Sequence, residues 1–203
     1  MARRAPASRA ARGVTLLEVL VAILVLSIGL LGVAGMQAAS LRYAQGGWVR
    51  AGLASGVSSL AERVRANPAA AADAYRLADE YATQRSDIDS GKVQAVVTAN
   101  NCLASTCTPA QLAAFDLATW RLALDTAMPG SGGFVQGDAV AGYQATILWK
   151  DKAYADDTDP TALKRAADKD CSGSETGLAQ RSCCPAAAKA PDGVRCTNFT
   201  VIP

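Results

Sequence analysis

Three regimes of polar and apolar positions divide this chain. Residues 1–12 set four arginines, Arg3, Arg4, Arg9 and Arg12, among small side chains. From Val14 to Leu41 the only ionisable side chain is Glu18. At about 1.5 Å per residue, the uncharged run after Glu18 is long enough to cross a bilayer core of roughly 30 Å. Beyond Leu41 the apolar positions become periodic. Leu53, Val57, Leu60 and Val64 recur at i, i+4, i+7 and i+11, which is one helical face able to pack on a sheet. Gly46, Gly47, Gly52 and Gly56 weaken that helix, and Asn67-Pro68 stops it, because a residue before proline disfavours helical backbone. Unbroken from Val14 to Ala66, such a helix would measure about 80 Å. No sustained heptad with flanking charges appears, so a coiled coil is not expected. Glu62 and Arg65 form an i, i+3 pair that reads as solvated surface.

The remainder alternates between connections and short elements. Residues 69–92 form a polar, alanine-rich connection with room for a helix between Ala69 and Arg85 and a turn at Ser90-Gly91. Thr108-Pro109 opens a helix, since threonine caps and proline suits the first turn. It carries Leu112, Phe115, Leu117, Trp120, Leu122 and Leu124, with Trp120 expected in the core, and ends at Met128-Pro129-Gly130. Phe134-Val135 and Val140 to Lys150 read as strands, the alternation being clearest from Tyr143 to Trp149. Residues 150–192 are loop-like, with Pro160, Pro185 and Pro191. A last strand spans Val194 to Ile202; its set Val194, Cys196, Asn198 and Thr200 is the more polar, so Phe199 and Val201 are expected to face the helix.

Charge and cysteine usage narrow the function classes. The chain has 20 basic and 18 acidic side chains, and removing the first thirteen residues, with their four arginines, turns +2 into −2. The basic balance therefore belongs to the leader, and nothing in it argues for nucleic acid. All six cysteines lie after the apolar run: Cys102, Cys107, Cys171, Cys183, Cys184 and Cys196. An even set confined to one side of a span reads as disulfides formed in an oxidising compartment. Zinc would need four cysteine ligands, and no paired Cys-x-x-Cys exists. Cys102 and Cys107 are expected to close a short loop. Cys183 and Cys184 are adjacent, and bonding to each other would strain the backbone, so they should reach Cys171 and Cys196, in an order that stays open. The chain contains no histidine, no Gly-x-Ser-x-Gly, no P-loop and no dinucleotide fingerprint, so an enzyme is not expected. Asp156, Asp157 and Asp159 offer oxygens suited to calcium. An EF-hand's glycine and terminal glutamate are missing there, and a solvated acidic loop accounts for the residues. No metal or cofactor is assigned.

Gly13-Val14-Thr15-Leu16-Leu17-Glu18 resembles the processing site of type IV pilins and type II secretion pseudopilins. The stretch Leu26 to Gln37, with Gly29, Gly32 and Gly35, and Arg63-Val64-Arg65-Ala66-Asn67-Pro68 resemble more narrowly the PilV family of minor pilins, the type IV pilus modification proteins. The likeness covers about the first third of the chain and is patchy beyond, chiefly around Trp120 to Gly133; the family usually has phenylalanine where Val14 stands. Secretion pseudopili also include relatives that bind calcium in a carboxyl-terminal loop. The resemblance implies that a prepilin peptidase cuts between Gly13 and Val14 and methylates the new amino terminus. It assigns Glu18 the role of pairing with a neighbour's amine in a water-free filament core, where an unpaired charge would be costly. The bland alternative for Glu18 is an acid favoured by the helix dipole. The alternative for the whole segment is a secretory signal peptide cleaved near Val33-Ala34-Gly35 or Ala38-Ala39-Ser40, but the apolar run exceeds the usual h-region of 7–15 residues.

The implied fold is α+β and pilin-like: a long amino-terminal helix, half transmembrane and half amphipathic, packed on a small antiparallel sheet with disulfide-stapled loops. The expected divisions are a leader (1–13), a transmembrane and filament-core helix (14–41), its amphipathic continuation (42–68) and a periplasmic head (69–203). Four leader arginines against Arg42 and Arg50 favour a cytoplasmic amino terminus. The expected function is a minor pilin that supports pilus biogenesis and bears on adhesion or twitching. Its partners would be the prepilin peptidase, other minor pilins, the major pilin, the inner-membrane assembly platform and the lipid bilayer. A type II secretion pseudopilin and a membrane-anchored periplasmic binding or adhesion domain are the alternatives.

Overall fold

The computed structural model describes Gly13, residues 15–150 and residues 170–203. Helix α1 runs Leu16–Ala66, followed by α2 (Tyr81–Asp89), α3 (Lys92–Ala99), α4 (Pro109–Ala127), β1 (Gly132–Asp138), β2 (Gly142–Lys150), α5 (Leu178–Ser182), a 3-10 turn at Ala186–Ala188 and β3 (Val194–Val201). The fold is α+β, a long amino-terminal helix with a small antiparallel sheet and disulfides. By contacts the chain divides into two compact units, Met1–Trp48 and Val49–Pro203.

The first unit holds the greater part of α1. Every described side chain from Leu16 to Leu41 is exposed, large apolar ones included. Among the described residues α1 is the one helix long and apolar enough to cross a membrane. Ser27, within the apolar run, is satisfied inside the helix, donating to the Ile23 carbonyl across 2.7 Å, as a hydroxyl in an apolar medium needs. Gly46 and Gly47 do not break the helix.

The second unit is organised around the sheet β1-β2-β3, antiparallel throughout. One face carries Val135, Tyr143, Ala145, Ile147 and Val201. Against it pack Leu60 and Val64 of α1 with Trp120 and Leu124 of α4 and Met128 at its end; Leu53, Val57 and Phe199 are partly buried at its margin. The helical face expected from Leu53, Val57, Leu60 and Val64 is thus the one that meets the sheet. Phe199 and Val201 point the same way.

The other face differs from what the alternation of β3 suggested. Val194, Cys196 and Asn198, the more polar set, are buried as well. Phe134, Leu148, Val194 and Cys196 form a second apolar cluster with Tyr81, Cys184 and Ala188. A segment with little regular structure covers this face, and the Cys184–Cys196 disulfide ties that cover to β3. The alternation was therefore masked by burial on both sides.

Residues 69–92 also need correction. Residues 68–76 are turns, and Leu77 exchanges backbone hydrogen bonds with Val135 of β1, at 3.0 and 2.8 Å. The helix begins only at Tyr81, the expected turn follows at Ser90-Gly91 with Gly91 at φ 76°, and an unanticipated second helix, α3, comes next. Leu77 is withheld from helix by its strand pairing, a tertiary constraint that local propensity does not carry. The start of α4 is as the sequence indicates: Thr108 Oγ1 accepts from the Gln111 N–H, Gln111 Oε1 accepts from the Thr108 N–H, and Pro109 occupies the first turn.

Candidate processing and assembly site

The amino-terminal site is built by the way α1 begins. Gly13 and Thr15 are non-helical and exposed. Thr15 acts as the cap: its Oγ1 accepts from the Glu18 N–H at 3.3 Å, and its carbonyl accepts from Glu18 and Val19 at 3.1 and 3.3 Å. The helix therefore starts immediately after Thr15, and Gly13 stays outside it, where backbone is open to a peptidase. Glu18 falls in the first helical turn, exposed, where the helix dipole favours a negative charge. Thr15-x-x-Glu18 is a capping-box spacing, so the helix start was legible in the sequence although only the cleavage motif drew notice. Val14, the leader arginines Arg3, Arg4, Arg9 and Arg12, and Asp156, Asp157 and Asp159 lie outside the described residues.

Gly29, Gly32 and Gly35 open no gap that a neighbour in this chain fills: nothing lies within 4 Å of where their Cβ atoms would be. Gly52 and Gly56 behave otherwise. A Cβ on Gly56 would meet Leu124 Cδ2 at 2.6 Å and Ile147 Cδ1 at 3.1 Å, and one on Gly52 would meet the Met128 side chain at 3.0 Å. These glycines, read from sequence as weak points in the helix, are where side chains of α4, of Met128 after it and of the sheet fit tightly against α1. The Trp120 indole completes the contact, its Nε1–H donating to the Gly56 carbonyl. Trp120 is a core residue, as expected.

A polar network beside this core was not anticipated. Arg63 pairs with Asp116 at 2.8 Å and donates to Thr119 Oγ1 at 2.8 Å. The Tyr75 hydroxyl reaches Asp116 Oδ2 at 2.7 Å, and Asn67 Nδ2 donates to Tyr75 Oη at 3.3 Å and to the Pro109 carbonyl at 2.8 Å. Burial, then the adjacent Asp116 carboxylate, push the Tyr75 phenol well above its ordinary pKa. Arg63 and Asn67 sit in the Arg63-to-Pro68 motif; the network shows what those side chains do. Arg65, read as a surface partner of Glu62, instead donates Nε and Nη2 to the Ile202 carbonyl at 3.1 and 3.0 Å, tying α1 to the end of β3. Apart from Asn67 and Tyr75, eight positions apart, these partners lie between 41 and 137 positions from one another in sequence, so no local pattern could name them.

The six cysteines form three disulfides: Cys102–Cys107, Cys171–Cys183 and Cys184–Cys196. The neighbours Cys183 and Cys184 thus diverge to different partners. Asn198 of β3 holds the branch point, its Nδ2 donating to the carbonyls of Gln180 and Cys183 at 2.8 and 2.9 Å while Oδ1 accepts from Thr146 Oγ1 at 2.5 Å. In the adjoining loop, hydrogen bonds from the Ser172 hydroxyl and backbone hold the exposed Glu175 carboxyl down to about 2.

Residues 8–34 match the family model of the prokaryotic N-terminal methylation motif. The amino terminus is pilin-like. The match spans Arg9, Arg12, Gly13, Thr15, Glu18 and most of the apolar run, and so includes the residues that set where α1 begins. Processing by a prepilin peptidase and assembly with other pilins follow from that motif as the general character of a type IV pilin-like or pseudopilin-like chain, a structural class of protein. Neither the curated proteins nor the solved structures gave a match to this chain.

Proposed function

We propose that this chain is a minor pilin of a type IV pilus. In this reading the peptidase cuts between Gly13 and Val14 and methylates Val14, residues 14–41 anchor the precursor in the inner membrane with its amino terminus cytoplasmic, and the head carried by residues 69–203 lies in the periplasm. The observation that carries it is the Gly13-to-Glu18 motif placed at the start of a helix whose described apolar side chains from Leu16 to Leu41 are all exposed. A helix with no internal partner for those side chains is made to exchange lipid for neighbouring helices.

Glu18 supplies the selectivity. Cleavage creates an amine at Val14, four residues upstream. Once water is excluded, the Glu18 carboxylate of one subunit needs a cation, and the amine of an adjacent subunit provides it. The head, stapled by three disulfides, presents a rigid surface to other minor pilins and the major pilin at the filament or its tip.

Intact mass measurement on the protein recovered from cells tests the reading. The expected product begins at Val14, carries one methyl group and lacks six hydrogens relative to the fully reduced chain. A product that retains its initiator methionine, or that begins near residue 36, overturns it. Replacement of Gly13 by valine should abolish both cleavage and filament entry, whereas an anchored domain that works alone would keep its activity uncleaved.

A further inference from the structure

The first aromatic side chains of the chain are Tyr43 and Trp48, just past the apolar run. Trp48 is 69% exposed, while Trp120 and Trp149 are buried in the head. An indole this exposed, in a chain whose other two tryptophans are buried, is an amphipathic group placed outside the core. Its distance from Glu18 gives it a meaning.

Both residues lie on α1 within the first unit, 30 positions apart. At 1.5 Å per residue that is about 45 Å along the helix, and about 42 Å along the membrane normal at the usual 20° tilt. A bilayer with its headgroup layers measures about 40–45 Å. If Glu18 lies in the inner headgroup layer, Trp48 lies in the outer one.

We propose that Trp48 is a lipid-interface anchor, seated among the headgroups of the outer leaflet and fixing the depth of the helix before it enters a filament. The occupant of its exposed face is lipid, not a protein partner, because the spacing from Glu18 matches the bilayer and not any repeat within the chain. This rests on the membrane-anchored reading above. Glu18 and Trp48 act as the two ends of a ruler, one polar group in each headgroup layer, and the apolar run spans what lies between. A helix held in this way offers Glu18 at a constant depth to incoming partners.

The test uses the full-length protein in phosphatidylcholine and phosphatidylglycerol vesicles with bromine at either a shallow or a deep acyl position. The Trp48 signal is the difference between the native protein and Trp48→Phe, a change at an exposed site that near-ultraviolet circular dichroism should show to leave the head intact. The expected result is that shallow bromines quench this component at least about twofold more than deep ones, as interfacial tryptophan requires. If the protein resists alkaline extraction but the Trp48 component is not quenched, or is quenched more by deep bromines, the anchor is overturned and the membrane reading stands. If alkali extracts the protein from the vesicles, the membrane reading itself fails and the anchor falls with it.

Discussion

The indole N–H of Trp120 donates to the carbonyl oxygen of Gly56 across 2.8 Å, a side chain of α4 bonded to the backbone of α1. The opposite edge of the ring lies against Gly133 of β1, where an added Cβ would collide with the six-membered ring. Trp120 is thus held between two glycines, on the helix and on the sheet.

Alanine substitutions should rank by what each new methyl group meets. At Gly133 it meets a rigid, fully buried ring, and the cost should reach or exceed the upper end of about 1–3 kcal/mol for overpacking. Gly56→Ala displaces Leu124 and Ile147 for a smaller loss, offset in part by up to about 1 kcal/mol of helix propensity. Gly52→Ala meets only the flexible end of Met128 and should be close to neutral. Denaturant titrations followed by far-ultraviolet circular dichroism check the order, and a neutral Gly133→Ala would show that the ring is not confined.

The Tyr75 phenol gives the head an alkaline limit. Its folded pKa is raised above the unfolded value of about 10, so its contribution to stability is complete below pH 10 and is lost as pH climbs toward the folded pKa. Burial raises Tyr81 and Tyr143 in the same direction. Melting temperature should therefore fall above about pH 10, and Tyr75→Phe should flatten that fall without abolishing it. An unchanged alkaline slope in the variant would remove Tyr75 from the explanation.

Reductant should open the disulfides in order of access. Cys184 and Cys196 are buried under the sheet's cover, whereas Cys102, Cys107 and Cys171 are partly exposed. Timed alkylation with mass mapping should label Cys184 and Cys196 last. Replacing both by serine removes the tie between the cover and β3 and should cost about 2–5 kcal/mol.

Glu18→Gln should separate assembly from folding. The side chain is exposed in the first turn of α1, in a different unit from the sheet. The head's melting temperature should not move. Removal of the leader should continue, while recovery of the protein in sheared filaments should drop well below the native level.

How much could be read in advance depended on whether the physics was local. The apolar run, the Thr108-Pro109 cap, the stop at Asn67-Pro68 and the helical face from Leu53 to Val64 are contained within a few turns of chain, and each was legible. The start of α1 was legible too, in Thr15 and Glu18. What failed was whatever needed a distant partner. Leu77 forms a β-bridge because Val135 pairs with it; Asn198 is buried because Gln180 and Cys183 supply carbonyls to its amide. Gly56 signals helix weakness until Trp120 arrives 64 residues later.

By itself, then, the sequence determined that this chain carries a pilin-type motif, an apolar helix with one acid, and an even set of cysteines beyond it. Those follow from composition and short-range spacing, which need no fold to be expressed. Tertiary structure alone decided which glycines are contacts, how Cys183 and Cys184 part company, and why Arg63, Asn67, Tyr75 and Asp116 belong together. Close approach and burial of polar groups are properties of pairs remote in sequence, and they acquire energies only when the chain has brought both members to one place.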